Sequence, residues 1–299
     1  MTNGRFTIVG LGELLWDLFP DGPRFGGAPA NFACHAAALG ADAFLVSSVG
    51  RDELGRKGLA ELTAHGVQSD CVTVCDAAPT GTVDVTLDAA GKARFTFAAD
   101  VAWDHLQWSD ALEHLAGRCA AVCFGTLAQR SDVSRQTIRR FVQATPPPAL
   151  RIFDINLRPP FYDESTIRES LALANVLKLN DEELPMVASL CGVAGTDAEI
   201  MARLAMKFDL AAVALTRGGH GALIWRQGEL SDAPGQAVVV RDTVGAGDAF
   251  TADLSIGLLR HDDLDDINRR ACEVAAYVCS CAGATPPLPD EIRRQFVAL

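Results

Sequence analysis

Short apolar runs rich in β-branched residues recur along the chain at 6–9, 44–49, 121–124, 151–155, 176–179, 211–215 and 222–225. Amphipathic helical stretches lie among them at 29–39, 54–65, 133–144, 198–207, 249–259 and 268–281. This alternation constrains the fold more than any other feature. A strand joined to the next through a helix must cross over, so successive strands pair in parallel and the helices cover both faces of their sheet. The expectation is an α/β fold, a doubly wound and mostly parallel sheet with helices on both faces. Ligands of such a fold lie beyond the carboxyl ends of the strands.

Two segments break the rhythm. Residues 14–19 and 71–97 read as short strands with no helix between them. Within the second, 82–87 alternates polar and apolar residues, 88–92 reads as a turn and 94–97 as a return strand. Strands split between two places in sequence, each beside a glycine-rich loop, predict a small discontinuous β-sheet acting as a lid. A hairpin extending the main sheet accounts for the same pattern. The expected division is a main α/β domain of residues 1–12, 26–69 and 102–299, and a lid of residues 13–25 and 70–101. The cluster at 145–148 is a loop too short to link domains.

Composition narrows the function classes. Hydrophobic residues make up 49% and charged residues 21%, as in a globular protein. No apolar run approaches the roughly 18 residues a spanning helix needs. The opening MTNGRFTIVGLGELL has no basic segment before its apolar run and carries Glu13 inside it, so no signal peptide is expected and a cytoplasmic location is. A net charge of −12 argues against nucleic acid or an anionic membrane as the main partner. It leaves room for a phosphate ligand, which needs only a local nest of backbone N–H groups. The nine cysteines are scattered, odd in number and without a CxxC spacing, and read as reduced thiols filling core positions.

The run with the most chemistry in it is Asp242-Thr243-Val244-Gly245-Ala246-Gly247-Asp248-Ala249-Phe250. Small residues at 245–247 let the backbone approach a ligand, and an apolar helix follows. A glycine turn opening a helix aims unpaired N–H groups and the positive dipole end at one point, an anion site. Asp248, on the first turn, is placed to take the proton of an attacking hydroxyl. The same residues also read as a plain turn with an acidic cap. A second run, Phe25-Gly26-Gly27-Ala28-Pro29-Ala30-Asn31, opens an alanine-rich helix and offers Asn31 as donor and acceptor to a polyhydroxylated ligand. Asp17, in Gly12-Glu13-Leu14-Leu15-Trp16-Asp17, is either a solvent-facing strand residue or an acceptor for sugar hydroxyls. In Lys178-Leu179-Asn180-Asp181-Glu182-Glu183, Asn180 and Glu183 suit the outer shell of hydrated Mg²⁺, or simply start a helix. Thr216-Arg217-Gly218-Gly219-His220-Gly221 follows a strand and borders phosphates or forms a flexible turn. Several of these runs follow strands that share one edge of a parallel sheet.

Over nearly its full length the sequence resembles the ribokinase-like carbohydrate kinases, the PfkB family. DTVGAGDAF looks like the C-terminal signature of that family and FGGAPAN like its sugar-site signature. The resemblance implies an ATP-dependent sugar kinase with Asp248 as base and with Gly245, Ala246 and Gly247 as the anion hole. It also implies that Asp17, Gly27 and Asn31 hold the sugar, that Asn180 and Glu183 lie near Mg²⁺ and phosphate, and that Thr216, Gly218 and Gly221 belong to the nucleotide-contacting turn. Asp242 matches a position linked to a monovalent cation such as K⁺, with partners around 281–287. A discontinuous lid, often shared in a homodimer, is a family feature too. Ala28 stands where ribokinases typically carry lysine, and Asp154-Ile155-Asn156-Leu157-Arg158-Pro159 is similar to fructokinases, which implies that Arg158 reaches the sugar or the transferred phosphate. Fructose is thus the expected substrate, with ribose or 2-keto-3-deoxygluconate as alternatives.

Two further classes match parts of the sequence. Gly10-Leu11-Gly12 after the first strand suggests a dinucleotide-dependent oxidoreductase, but position 15 is leucine where the third glycine belongs, and Glu13 would face a pyrophosphate. A catalytically dead sugar sensor of the same fold is opposed by the intact Gly-Ala-Gly-Asp run. No G-x-x-x-x-G-K-[ST] run exists, which excludes a Walker-type NTPase.

Overall fold

The computed structural model describes residues 5–87 and 93–297. The chain opens with β1 (Thr7–Leu11), β2 (Leu15–Phe19) and β3 (Gly22–Gly26), then α1 (Ala28–Ala38), β4 (Asp42–Gly50), α2 (Glu53–Ala64) and β5 (Val72–Cys75). Next come β6 (Gly81–Leu87), β7 (Ala93–Phe97), α3 (Asp110–Ala116), β8 (Ala121–Phe124), α4 (Asp132–Ala144), β9 (Leu150–Asp154) and α5 (Glu164–Leu173). The last part holds β10 (Val176–Asn180), α6 (Glu183–Cys191), α7 (Asp197–Phe208), β11 (Ala212–Thr216), β12 (Ala222–Arg226) and β13 (Glu229–Ala233). Three helices close it: α8 (Ala246–Arg260), α9 (Leu264–Cys279) and α10 (Asp290–Val297).

The main sheet runs β13-β12-β11-β10-β9-β8-β1-β4-β5. Every pair from β11 to β5 is parallel, and β12 and β13 add an antiparallel edge. Its central strands are near-continuous apolar runs because both faces are covered, as the alternation requires. Successive residues serve opposite faces. Ile8 packs with the group containing α1, α8 and α9, whereas Val9 and Leu11 pack with the group containing α3 to α7. Chain order reverses at β1, which has β4 on one side and β8 on the other. A crevice therefore opens beyond the carboxyl ends of β1 and β8, where the connecting segments diverge. Among the described residues no helix is long and apolar enough to cross a membrane.

A second, four-stranded sheet has the order β3-β2-β6-β7, two antiparallel hairpins joined through the parallel pair β2 and β6. The expected turn at 88–92 lies outside the described residues. The expected lid boundary at 70 changes in the structure: β5 pairs with β4 in the main sheet, not with the small one. The reason is connectivity, since β4, α2 and β5 form a crossover unit whose strands pair in parallel. Asp52 fixes the passage from there to the small sheet. It caps α2 through the Gly55 N–H (2.7 Å) and accepts the Thr80 N–H (2.8 Å) and hydroxyl (2.7 Å). The strand at Glu229–Ala233 is not among those expected from sequence, because its polar residues lack an apolar run and suit an exposed sheet edge.

Candidate active site

Two helices begin at one point. The residue before α1 is Gly27 (φ 107°) and the residue before α8 is Gly245 (φ 81°), both in backbone regions that side chains disfavour. A methyl group at Gly245 would lie 2.1 Å from the Ala284 carbonyl oxygen, and one at Gly27 would lie 2.5 Å from the Glu13 carbonyl oxygen. Each helix start is thus pressed against a neighbouring loop. The small residues of α1 let it pack along α8, and Asn31 Nδ2 donates to Asp248 Oδ2 at 2.9 Å. The two motifs, 217 positions apart, meet through that bond. Asp248 is the third residue of α8, beside the N–H groups of the first turn, which have no intrahelical acceptor.

A pocket occupies the crevice beyond β1 and β8, lined by Glu13, Thr126, Asp154, Asn156 and Asp248 among others. Burial raises the Asp248 carboxyl to about 7, Asp154 adds to that, and Asn31, Lys178 and Arg158 oppose it. Burial likewise raises Glu13 to about 7, with Asp248 contributing. Among the described residues, neither Glu13 Oε2 nor Asn31 Oδ1, both buried, has a hydrogen-bond partner. Unpaired buried oxygens beside a pocket are positions where ligand hydroxyls lower the free energy. Glu13, Asp154, Asn156 and Lys178 were not singled out from sequence. Asp154 and Asn156 lie in the same Asp154–Pro159 run as Arg158. A lone charge inside an otherwise apolar strand was the available sign for Lys178.

Asp17 lies mid-strand in β2, and a methyl group at Gly26 would meet its Oδ2 at 2.9 Å. Burial raises its carboxyl to about 6, against the pull of Arg158 and Arg24 and with the push of Asp242. Arg158 is exposed in the loop after β9, and its charge reaches Glu13, Asp17 and Asp248 alike.

The remaining candidates lie at the ends of β10 and β11. Asn180 Oδ1 accepts the N–H groups of Glu182 (3.0 Å) and Glu183 (2.9 Å). Glu183 is buried, and its carboxylate accepts the N–H groups of Leu157 (2.8 Å) and Asn180 (2.9 Å). Both side chains thus shape their loops. An all-oxygen donor set with lone pairs to spare suits hydrated Mg²⁺ carried mainly by phosphates. Among the described residues no three histidine, cysteine or carboxylate groups gather as a metal cage. Thr216 ends β11 and pairs in register with Asn180. Gly218 (φ 51°) is open to approach, whereas Gly221 is packed, since a methyl group there would lie 2.0 Å from the Ala233 carbonyl oxygen. Asp242 accepts the N–H groups of Val244 (3.1 Å) and Gly283 (3.2 Å), joining the start of the anion turn to the loop after α9.

Comparison with known proteins agrees with this arrangement. The sequence profile described as pfkB family carbohydrate kinase matches residues 22–291. A fructokinase of Klebsiella pneumoniae is 33% identical, over 98% of this chain and 100% of its own. The crystal structure of an uncharacterized sugar kinase from Pyrococcus horikoshii in complex with ATP superposes with a TM-score of 0.82 at 28% identity, covering 97% of this chain and 99% of that one. A fructokinase of Xylella fastidiosa with bound ATP shares the fold, with a TM-score of 0.83 at 22% identity over 97% and 98% of the two chains. With its two glycine-started helices meeting at Asn31 and Asp248, the chain belongs to the pfkB family of carbohydrate kinases.

Proposed function

We propose that this carbohydrate kinase is a fructokinase, moving the γ-phosphoryl group of ATP onto a fructose hydroxyl with Asp248 as base. The observation that carries the chemistry is the place of Asp248, beside the anion turn of α8, at the pocket and hydrogen-bonded to Asn31. In the transfer, the sugar hydroxyl gives its proton to Asp248 and its oxygen bonds to the γ-phosphorus. The bond from that phosphorus to the bridging oxygen breaks, and ADP leaves. The N–H groups at 245–247 face the charge on the transferred group. Glu183 and Asn180 are the residues that would meet the water shell of Mg²⁺. When bound, Mg²⁺ neutralises charge on the nucleotide phosphates.

Fructose is supported by the Klebsiella relative and by the chemistry of the wall. Glu13, Asp154, Asn156 and Asp248 offer mostly acceptors, which match the donors of a neutral polyol and repel a sugar acid. Side-by-side steady-state kinetics tests the assignment. Fructose is expected to exceed ribose, adenosine and 2-keto-3-deoxygluconate in kcat/KM by at least about tenfold. A preference for the acidic sugar would overturn the fructokinase reading and leave the kinase mechanism standing.

Two expectations concern the small sheet. Asp17→Ala raises the sugar KM by about tenfold or more and leaves the ATP KM nearly unchanged, because a buried sugar hydroxyl left unpaired costs about 1–3 kcal/mol. Equal weakening of both substrates would mark a folding defect instead. Sugar binding is also expected to slow amide hydrogen exchange in Gly81–Leu87 and Ala93–Phe97, as closure excludes water from the reacting phosphate. Identical exchange with and without both substrates would assign the sheet to the static body.

A further inference from the structure

An ion pair lies behind the anion turn. Lys178 of β10 and Asp154 of β9 are register partners, and Lys178 Nζ donates to Asp154 Oδ1 at 3.1 Å. The Thr251 hydroxyl, one turn beyond Gly247 on α8, lies within hydrogen-bonding distance of both Asp154 Oδ2 (3.1 Å) and the Gly247 carbonyl oxygen (2.8 Å). Asp154, Lys178 and Thr251 are 5%, 7% and 0% exposed, so water screens little of this charge. A methyl group on Gly247 would come within 2.9 Å of Lys178 Nζ, which puts the ammonium directly against the turn. Burial works against that ammonium, but the Asp154, Glu183 and Asp248 carboxylates outweigh it and raise its pKa above the ordinary lysine value.

A pair of this kind is a weak source of stability, because desolvation offsets most of the attraction. Its position supplies another use. The groups facing Asp248 are Asn31 from α1, Glu13 from the loop after β1, Cys123 from β8, Asp154 from β9, Arg158 from the following loop and Lys178 from β10. Lys178 is the buried cation in that set, and Arg158 is exposed. We propose that Lys178 and Asp154 are positioning residues of the phosphoryl transfer: the ammonium, held by Asp154 against the anion turn, sets the field in which Asp248 takes up its proton. This rests on the reading of Asp248 as base. Lys178 keeps its own protons throughout the step.

The test compares pH profiles of kcat/KM for fructose in Lys178→Met, Asp154→Asn and the wild type. Removing the cation makes Asp248 hold its proton to higher pH, so the acidic limb of Lys178→Met is expected to move up by about one pH unit, with kcat at least about tenfold lower. Removing the neighbouring carboxylate does the reverse, so the limb of Asp154→Asn is expected to move down. Opposite shifts support the inference, since a merely structural role does not produce them. Unmoved limbs, or limbs moved in the same direction, overturn it. If Lys178→Met lacks a cooperative thermal transition, the near-isosteric Asp154→Asn decides alone, and an unmoved limb there is fatal. Asp248→Asn, assayed in parallel, separates the two layers. Near-normal turnover in that variant defeats the base assignment, whereas a dead variant with unmoved limbs elsewhere defeats only the role of the pair.

Discussion

Asp248→Asn is expected to lower kcat by at least about a hundredfold while sugar and nucleotide binding stay within about tenfold of wild type. Asparagine keeps the size of the side chain and an oxygen for the Asn31 Nδ2 donor, so the junction of α1 and α8 survives. What disappears is the capacity to accept a proton as the hydroxyl attacks. The pH dependence follows with a definite sign. The carboxyl is held at about 7 in the folded chain, so the base form is lost, and with it the rate, as pH falls below neutrality. Stability runs the other way. A carboxyl raised in the folded state contributes stability below its unfolded value near 3.8, and that contribution is lost as pH rises through about 7. The variant should therefore melt at an equal or higher temperature than wild type above pH 7, as expected where function places a charge against folding. Steady-state kinetics and thermal unfolding across pH check both parts. Near-normal turnover would move the base elsewhere and leave Asp248 as a helix cap.

Gly245→Ala should fail for a steric reason. Its φ of 81° costs an alanine roughly 1–2 kcal/mol. The added methyl group would also stand 2.1 Å from the Ala284 oxygen, a backbone atom fixed in turn by a 2.9 Å hydrogen bond with His35 Nε2. Overpacking of that kind adds about 1–3 kcal/mol, for a total of about 2–5 kcal/mol lost in denaturant unfolding. If the chain yields by shifting the start of α8, the anion turn moves with it, and kcat falls by about a hundredfold or more. Gly283→Ala is the control. Gly283 has φ 82° and, among the described residues, nothing within 4 Å of an added methyl group, so that variant carries the conformational cost alone. Equal losses in the two variants would show that crowding against Ala284 is unimportant.

The alternation of strand and helix is a local property, written in residues close together in the chain, and it was enough to establish the α/β class and the parallel sheet. The glycine turn before Asp248 and the one before Asn31 were equally local, because positive φ and a helix start are short-range requirements. Their neighbours were not. The edge position of β5 depended on which strand the α2 crossover returned to. Glu13 in the loop after β1, Asp154 in β9 and Lys178 in β10 belong to segments far apart in the chain. Reversal of strand order at β1 makes the sheet bring those strand ends to one crevice, and register then sets Lys178 opposite Asp154. Backbone period and turn chemistry decide what a segment becomes, so sequence alone was sufficient for the strand–helix alternation and for the glycine turns that open α1 and α8. Elements with weaker patterns, such as β13, were not legible in it. Which buried charges share one low-dielectric space depends on contacts between distant segments, and only the tertiary structure decides that.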